Sequence, residues 1–515
     1  MLKKILCIFM TFLMFCGAAL PVFADETEAA THTITINGQN AGHTYVAFQI
    51  FAGDLDSTGK VLSNVTWGDG VDGDLLLVAL NKLDAYADCK NAADVAKVLA
   101  GFEEDSEEMD AFAMVAANWL TNIAGTSTEN QSPYTITVTG DGFYFIADSP
   151  EYVATEEDAY TKFMLQVVGD VTVEAKADAP YLEKKILTWG SKSDSYDAAV
   201  GDDVSYGLTS VVPDMDGYDK YFFVIHDTMA EGLTFQPDSL KVWVDGNQLD
   251  QSAYSLITEG LEDGCTFELV LKNFIQYKNQ AGSFVTVGYD ATVNEKAAVG
   301  TTGTSNKAHL VYSNNPNMEQ TGAEDNEDMP GPNDLTGETP DDITLIYTTN
   351  IKVIKVDDSK EQNPLPGAEF SFEIPTPMSD TGDDSIGTPI TDSDDNGVHL
   401  YSGLSAGYYT ITETKAPDGY NLLEEPIFVY VICECPTEVE TGEEQAVWKY
   451  TLNGAIEQET TVAEDGVIEI TVVNHAGTTL PSTGGMGTTL FYIFGILFIL
   501  GSSIVLVSRK CMDER

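Results

Sequence analysis

Across residues 25–477 the sequence returns repeatedly to short runs in which apolar and polar residues alternate or β-branched residues dominate. Thr33-Ile34-Thr35-Ile36, Tyr134-Thr135-Ile136-Thr137-Val138 and Ile468-Glu469-Ile470-Thr471-Val472-Val473 are examples. A period of two fits an extended chain with one face buried. Turn dipeptides, among them Asp141-Gly142, Asn396-Gly397 and Asp418-Gly419, punctuate the runs. Many short strands between such turns predict a mainly β protein built of sandwiches. One section differs. Leu75 to Ile123 is rich in Ala and Leu, with Ala92, Val95, Val98 and Leu99 at helical spacing. Two or three helices inserted into the first domain are expected there.

At 515 residues the chain has room for three or four domains. The pattern divides into 1–24, 25–175, 176–347, 348–477 and 478–515, with a Pro/Gly/Asp-rich stretch from Asn314 to Asp342. At the start, Lys3 and Lys4 precede an apolar run from Ile5 to Leu20, and Val22-Phe23-Ala24 offers small residues at two positions. This is the layout of a secretory signal peptide cut after Ala24. A first membrane helix is the alternative, disfavoured by the short apolar core. At the other end, residues 489–507 form an apolar run long enough to span a bilayer as a helix. Arg509, Lys510 and Arg515 follow it, as expected on a cytoplasmic side.

The formal charge of −57 comes from 25 basic and 82 acidic residues. Such a surface repels nucleic acid and anionic lipid and favours solubility. Between the end segments lie Cys89, Cys265, Cys433 and Cys435, without an evident disulfide framework. Cys433 and Cys435, two apart on one strand, read as poorly placed to bridge each other. The six histidines are scattered, with no nucleophile elbow and no paired-histidine metal motif. A surface enzyme is therefore disfavoured, and no cofactor or metal is expected. Asp392 to Gly397 resembles a calcium loop, but Gly403 stands where such a loop needs Glu. A hairpin turn is the better reading.

Several polar residues fall on apolar strand faces. Lys355 shares a face with Ile351 and Val353, Asn474 with Ile468, Ile470 and Val472, and Glu413 with Tyr409 and Ile411. Lys184 likewise shares a face with Leu182 and Ile186, and Asn306 with Ala308 and Leu310. Buried polar groups need partners. Desolvation lowers a lysine pKa and raises that of a carboxylic acid. A neutral amine beside a carboxamide is a nucleophile. Parity alone leaves a second arrangement open, a buried Lys–Glu ion pair with Asn as hydrogen-bond partner.

Leu480-Pro481-Ser482-Thr483-Gly484, followed by the apolar span and basic tail, resembles the cell-wall sorting signal of Gram-positive surface proteins. The resemblance implies that a sortase attacks the Thr483 carbonyl, releases Gly484 with the tail, and passes the acyl group to an amine. Ile351-Lys352-Val353-Ile354-Lys355-Val356-Asp357, Leu365-Pro366-Gly367-Ala368-Glu369-Phe370, the run from Gly407 to Tyr420 and Val472-Val473-Asn474 resemble the collagen-adhesin B-type repeat. That family implies immunoglobulin-like sandwiches and an intramolecular isopeptide bond, here Lys355 to Asn474 assisted by Glu413.

The run from Val224 to Phe235, with Asn306-Lys307-Ala308 and Tyr312 to Pro316, resembles segments of the backbone pilins of Gram-positive bacteria. This implies a bond from Lys184 to Asn306 assisted by Asp227, with Lys185 as the alternative lysine. The opening strand of the first domain, Thr31 to Asn37, holds no lysine, so no such bond is expected there. Val171 to Pro180 is similar to the pilin-lysine segment, with Lys176 in the lysine's place. Glu174-Ala175 and Ala177 depart from its Tyr-Pro-Lys-Asn pattern.

The resemblance implies a major pilin polymerised by a class C sortase through Thr483 to Lys176 of its neighbour. Minor pilins, a housekeeping sortase and peptidoglycan are the expected partners, and the cell surface the location. A monomeric wall-anchored adhesin binding a host ligand is the alternative.

Overall fold

The computed structural model describes residues 30–38, 41–56, 61–103, 106–154, 158–175, 178–188, 190–374, 390–393, 396–454, 460–463 and 465–477. The signal segment, Lys176, the sorting motif and the apolar run 489–507 lie outside the described residues. Among the described residues no helix is long and apolar enough to cross a membrane.

In the first part, a three-stranded sheet carries Thr31–Asn37 between Tyr134–Thr139 and Val171–Glu174. A five-stranded sheet is built around Tyr45–Leu55 and Gly142–Asp148. Tyr45–Leu55 is apolar on both faces, and both are covered. Tyr45 and Ala47 pack with Ile34, Ile136 and Val138 between the sheets. Val46, Phe48 and Phe51 pack against the inserted helices.

The expected helices are three: α1 (Gly73–Leu80), α2 (Ala92–Leu99) and α3 (Glu107–Ala117). Each starts where a side chain accepts from a free backbone N–H: Asp72 from Leu75, Asn91 from Asp94, and Ser106 from Met109. Leu76, Val95, Leu99 and Phe112 turn into the core.

The second part is a sandwich of two larger sheets. One holds Glu183–Thr188, Asp203–Val211, Phe284–Val293 and Leu233–Val244 in neighbouring order. The other holds Asp342–Tyr347, Thr304–Ser313, Phe223–Met229 and Phe267–Leu271. Their alternating residues form one core, including Tyr206, Leu208, Phe223, Val287, Leu310 and Tyr312.

The third part begins after Thr348. Thr349–Asp357 lies between Val398–Leu404, antiparallel, and Val467–Asn474, parallel. The facing sheet runs Glu369–Glu373, Gly407–Lys415, Ile427–Glu434, Val447–Leu452. Ile390–Ser393 pairs antiparallel with Val398–Leu404, Ser393 opposite His399, and residues 394–395 of the expected hairpin turn lie outside the described residues. The chain is thus mainly β, in tandem sandwich-like units with a helical insertion in the first.

Candidate functional site

In the third sandwich, Lys355, Glu413 and Asn474 are at most 3% exposed. Lys355 and Asn474 come from neighbouring parallel strands, in which Lys355 stands opposite Val472. Glu413 enters from the facing sheet. The Lys355 amine donates to Asn474 Oδ1, and also to the Val472 carbonyl at 3.3 Å. It lies 3.5 Å from Glu413 Oε1. Asn474 Nδ2 donates to both oxygens of Glu413, at 2.9 and 3.2 Å. Burial lowers the Lys355 pKa against the pull of Glu413. The carboxyl thus stands where it can take a proton from the amine and pass it to the amide nitrogen.

The second sandwich has the same residue types in a different layout. Lys184, Asp227 and Asn306 are fully buried. Lys184 belongs to one sheet, Asp227 and Asn306 to the other. A residue not singled out in the sequence, Tyr289, stands among them. The Lys184 amine donates to Asp227 at 2.5 Å and to the Tyr289 hydroxyl at 2.6 Å. That hydroxyl donates to Asp227 at 2.6 Å and accepts from Asn306 Nδ2 at 3.1 Å. Tyr289 lies directly opposite Tyr206 on the neighbouring strand, and the two rings stack at 5.4 Å. The lysine amine sits over both, 5.3 and 5.4 Å from their centroids.

Burial drives the Lys184 pKa down and the Asp227 pKa up, both toward a neutral pair. Asp227 Oδ1 and Asn306 Oδ1 are buried without a donor. A proton on Asp227 turns one of these two orphan acceptors into a donor. Lys185, the alternative lysine, points elsewhere. It pairs with Asp194 and is part-exposed.

In the first part, the buried Lys162 meets Asp110 of α3 at 2.9 Å. A second buried group there escaped the sequence reading. His43, 1% exposed, lies 2.7 Å from Asp148 and 3.1 Å from Asp158. Burial alone would lower its pKa. Hydrogen bonds to the two aspartates outweigh that and hold it at about 9.

Cys433 and Cys435 are both free, in keeping with the poor bridging geometry read from their spacing, and their sulfurs lie farther apart than the ~2.05 Å of a disulfide. Their sulfurs are 2.7 Å apart, with Asp197 beside them. Residues two apart share a strand face, and the strand ends at Glu434, so Cys435 is released from extended geometry.

Residues 349–445 match the SpaA prealbumin-like fold domain, and residues 472–514 the LPXTG cell wall anchor motif. The chain is 27% identical over 395 residues to the trypsin-resistant surface T6 protein of Streptococcus pyogenes serotype M6. That match covers 66% of this chain and 70% of the relative. The T6 backbone pilin of the same serotype is similar in fold, with a TM-score of 0.56 at 20% identity, over 88% of this chain and all of that one. The major pilin SpaD of Corynebacterium diphtheriae matches with a TM-score of 0.51 at 15% identity, over 89% of this chain and 99% of that one. By these matches the chain is similar to a streptococcal surface protein, has the fold of the Gram-positive major pilins, and carries a match to the LPXTG cell wall anchor motif over residues 472–514.

Proposed function

We propose that the chain is the repeating subunit of a covalent surface fibre. In this reading a class C sortase joins Thr483 of one copy to Lys176 of the next, and a housekeeping sortase fixes the fibre to peptidoglycan. Minor pilins complete the assembly. The working units are 25–175, 176–347 and 348–477, after loss of 1–24 and ahead of the sorting region 478–515. Lys184 to Asn306 and Lys355 to Asn474 become amide links within each subunit.

The observation that carries this reading is the contact of the buried Lys355 amine with the Asn474 side chain beside Glu413. In the reaction, Lys355 Nζ attacks Asn474 Cγ and a C–N bond forms. The bond from Cγ to Nδ2 breaks. Glu413 carries a proton from Nζ to the departing nitrogen, and ammonia leaves. No oxidant is needed. Asp227 plays the corresponding part for Lys184 and Asn306, with Tyr289 holding both. The chain is a substrate of sortase and catalyses only its own cross-linking.

Intact mass and peptide mapping of the purified chain test the proposal. The expected result is a deficit of two ammonia molecules, with cross-linked peptides joining Lys184 to Asn306 and Lys355 to Asn474. A mature chain of unshifted mass would reject the internal links.

A further inference from the structure

On the outer face of the second sandwich, on the reverse side of the strand that carries Asp227, four metal-type side chains converge. His226 and Glu268 are direct cross-strand partners on Phe223–Met229 and Phe267–Leu271. Period-two alternation puts His226 outside because Asp227 is inside. The chain entering the second strand turns at Gly260 and Gly264, with φ of 78° and 81°. That turn folds Asp263 and Cys265 back over His226. His226 Nδ1 lies 2.8 Å from Asp263 Oδ2 and 3.8 Å from Glu268 Oε1. The Cys265 N–H donates to Asp263 Oδ1 at 3.0 Å. One ligand atom from each of the four residues lies within 4.8 Å of all the others. His309, opposite His226 on the other neighbouring strand, stacks on its ring at 5.0 Å and 7° and steadies its plane.

We propose that His226, Asp263, Cys265 and Glu268 form a binding site for a borderline-soft divalent cation, zinc in particular. One nitrogen, one sulfur and two carboxylates suit zinc, whereas calcium and magnesium take oxygen donors. Around a tetrahedral ion with metal–ligand bonds of about 2.0–2.3 Å, ligand atoms stand roughly 3.5 Å apart. The observed spread needs only small side-chain shifts to reach that. The Cys265 thiol releases its proton to solvent as the metal–sulfur bond forms. Four protein ligands close the coordination shell, as in a structural site. The ion pins the turn ahead of Phe267–Leu271 to the strand whose inner face carries Asp227. It also occupies a part-exposed thiol of a protein bound for the cell surface.

The test uses the full chain in mild detergent, stripped with a chelator, in a Cys433→Ser/Cys435→Ser background that removes the other cysteine cluster. Calorimetric titration with Zn²⁺ is expected to show one equivalent per chain. Cys265→Ser or His226→Ala should weaken it by about 100-fold or more, beyond the loss seen when a supporting residue is removed. Co²⁺ substitution, which needs no further variant, should give a thiolate-to-metal charge-transfer band and the strong visible absorption of a tetrahedral ion. A pale six-coordinate cobalt spectrum overturns the proposal, as does zinc affinity unchanged by Cys265→Ser in a folded chain.

Discussion

Tyr289 is what distinguishes the second sandwich's cluster from the third's. In the third, the lysine amine already touches the carboxamide. In the second, a tyrosine hydroxyl holds both partners. Removing that hydroxyl costs about one hydrogen bond of positioning, roughly 1–1.5 kcal/mol. Tyr289→Phe should therefore slow formation of the Lys184–Asn306 link by about tenfold. Ammonia loss followed by mass over time in freshly synthesised chain would show it, and a time course matching the parent would remove Tyr289 from the reaction.

His43 makes a second residue-scale prediction. Its folded pKa of about 9 exceeds the ordinary 6.5. Its contribution is full below pH 6.5 and is lost as pH rises through 9, up to about 3 kcal/mol. Denaturant unfolding of the first part should weaken across that window, and His43→Gln should flatten the profile.

At the scale of strands, the parallel pairing of Thr349–Asp357 with Val467–Asn474 joins the first and last strands of the third sandwich. The proposed Lys355–Asn474 link would span 119 residues of chain. Treated like a disulfide, closing such a loop constrains the unfolded chain by about 4–5 kcal/mol. Glu413→Ala removes the carboxyl proposed to carry the proton while leaving Lys355 and Asn474 in place. The variant should retain the mass of one ammonia and unfold at a lower temperature in calorimetry. A fully linked Glu413→Ala chain would show that the carboxyl is dispensable. The proposed link would join end strands, so that tension applied to one would reach the other through covalent bonds and not through the hydrogen-bond ladder.

Across the whole molecule, the second and third sandwiches are closely joined. The Trp448 indole donates to the Gly300 carbonyl at 2.8 Å, and Val200 N–H donates to the Gly403 carbonyl at 2.9 Å. Gly300 and Gly466 approach so closely that a Cβ on Gly466 would meet Gly300 Cα at 2.0 Å. Such a junction suits a fibre that passes tension from one unit to the next. Polymerisation itself is tested at Lys176. Surface extracts boiled in detergent should show a ladder of sizes that Lys176→Ala collapses to one wall-linked band. A single band from the parent chain would instead favour the monomeric adhesin.

Much of this was legible in the order of residues. Alternation marked the strands, Ala and Leu spacing marked the helices, and parity placed Lys184, Lys355, Asn306 and Asn474 on buried faces. Parity put Glu413 on a buried face as well, and resemblance to known families added Asp227 and the expected partners. A period of two tells which face a side chain takes. It does not tell which strand lies beside it or which sheet lies opposite. Only the tertiary structure therefore decided that Lys355 and Asn474 are neighbours in one sheet while Lys184 and Asn306 belong to facing sheets. The same limit hid Tyr289, the His43 cluster, the Cys433–Cys435 contact and the convergence of His226 with Cys265. Each depends on strand order, register or a turn that brings together residues distant or unremarkable in the chain.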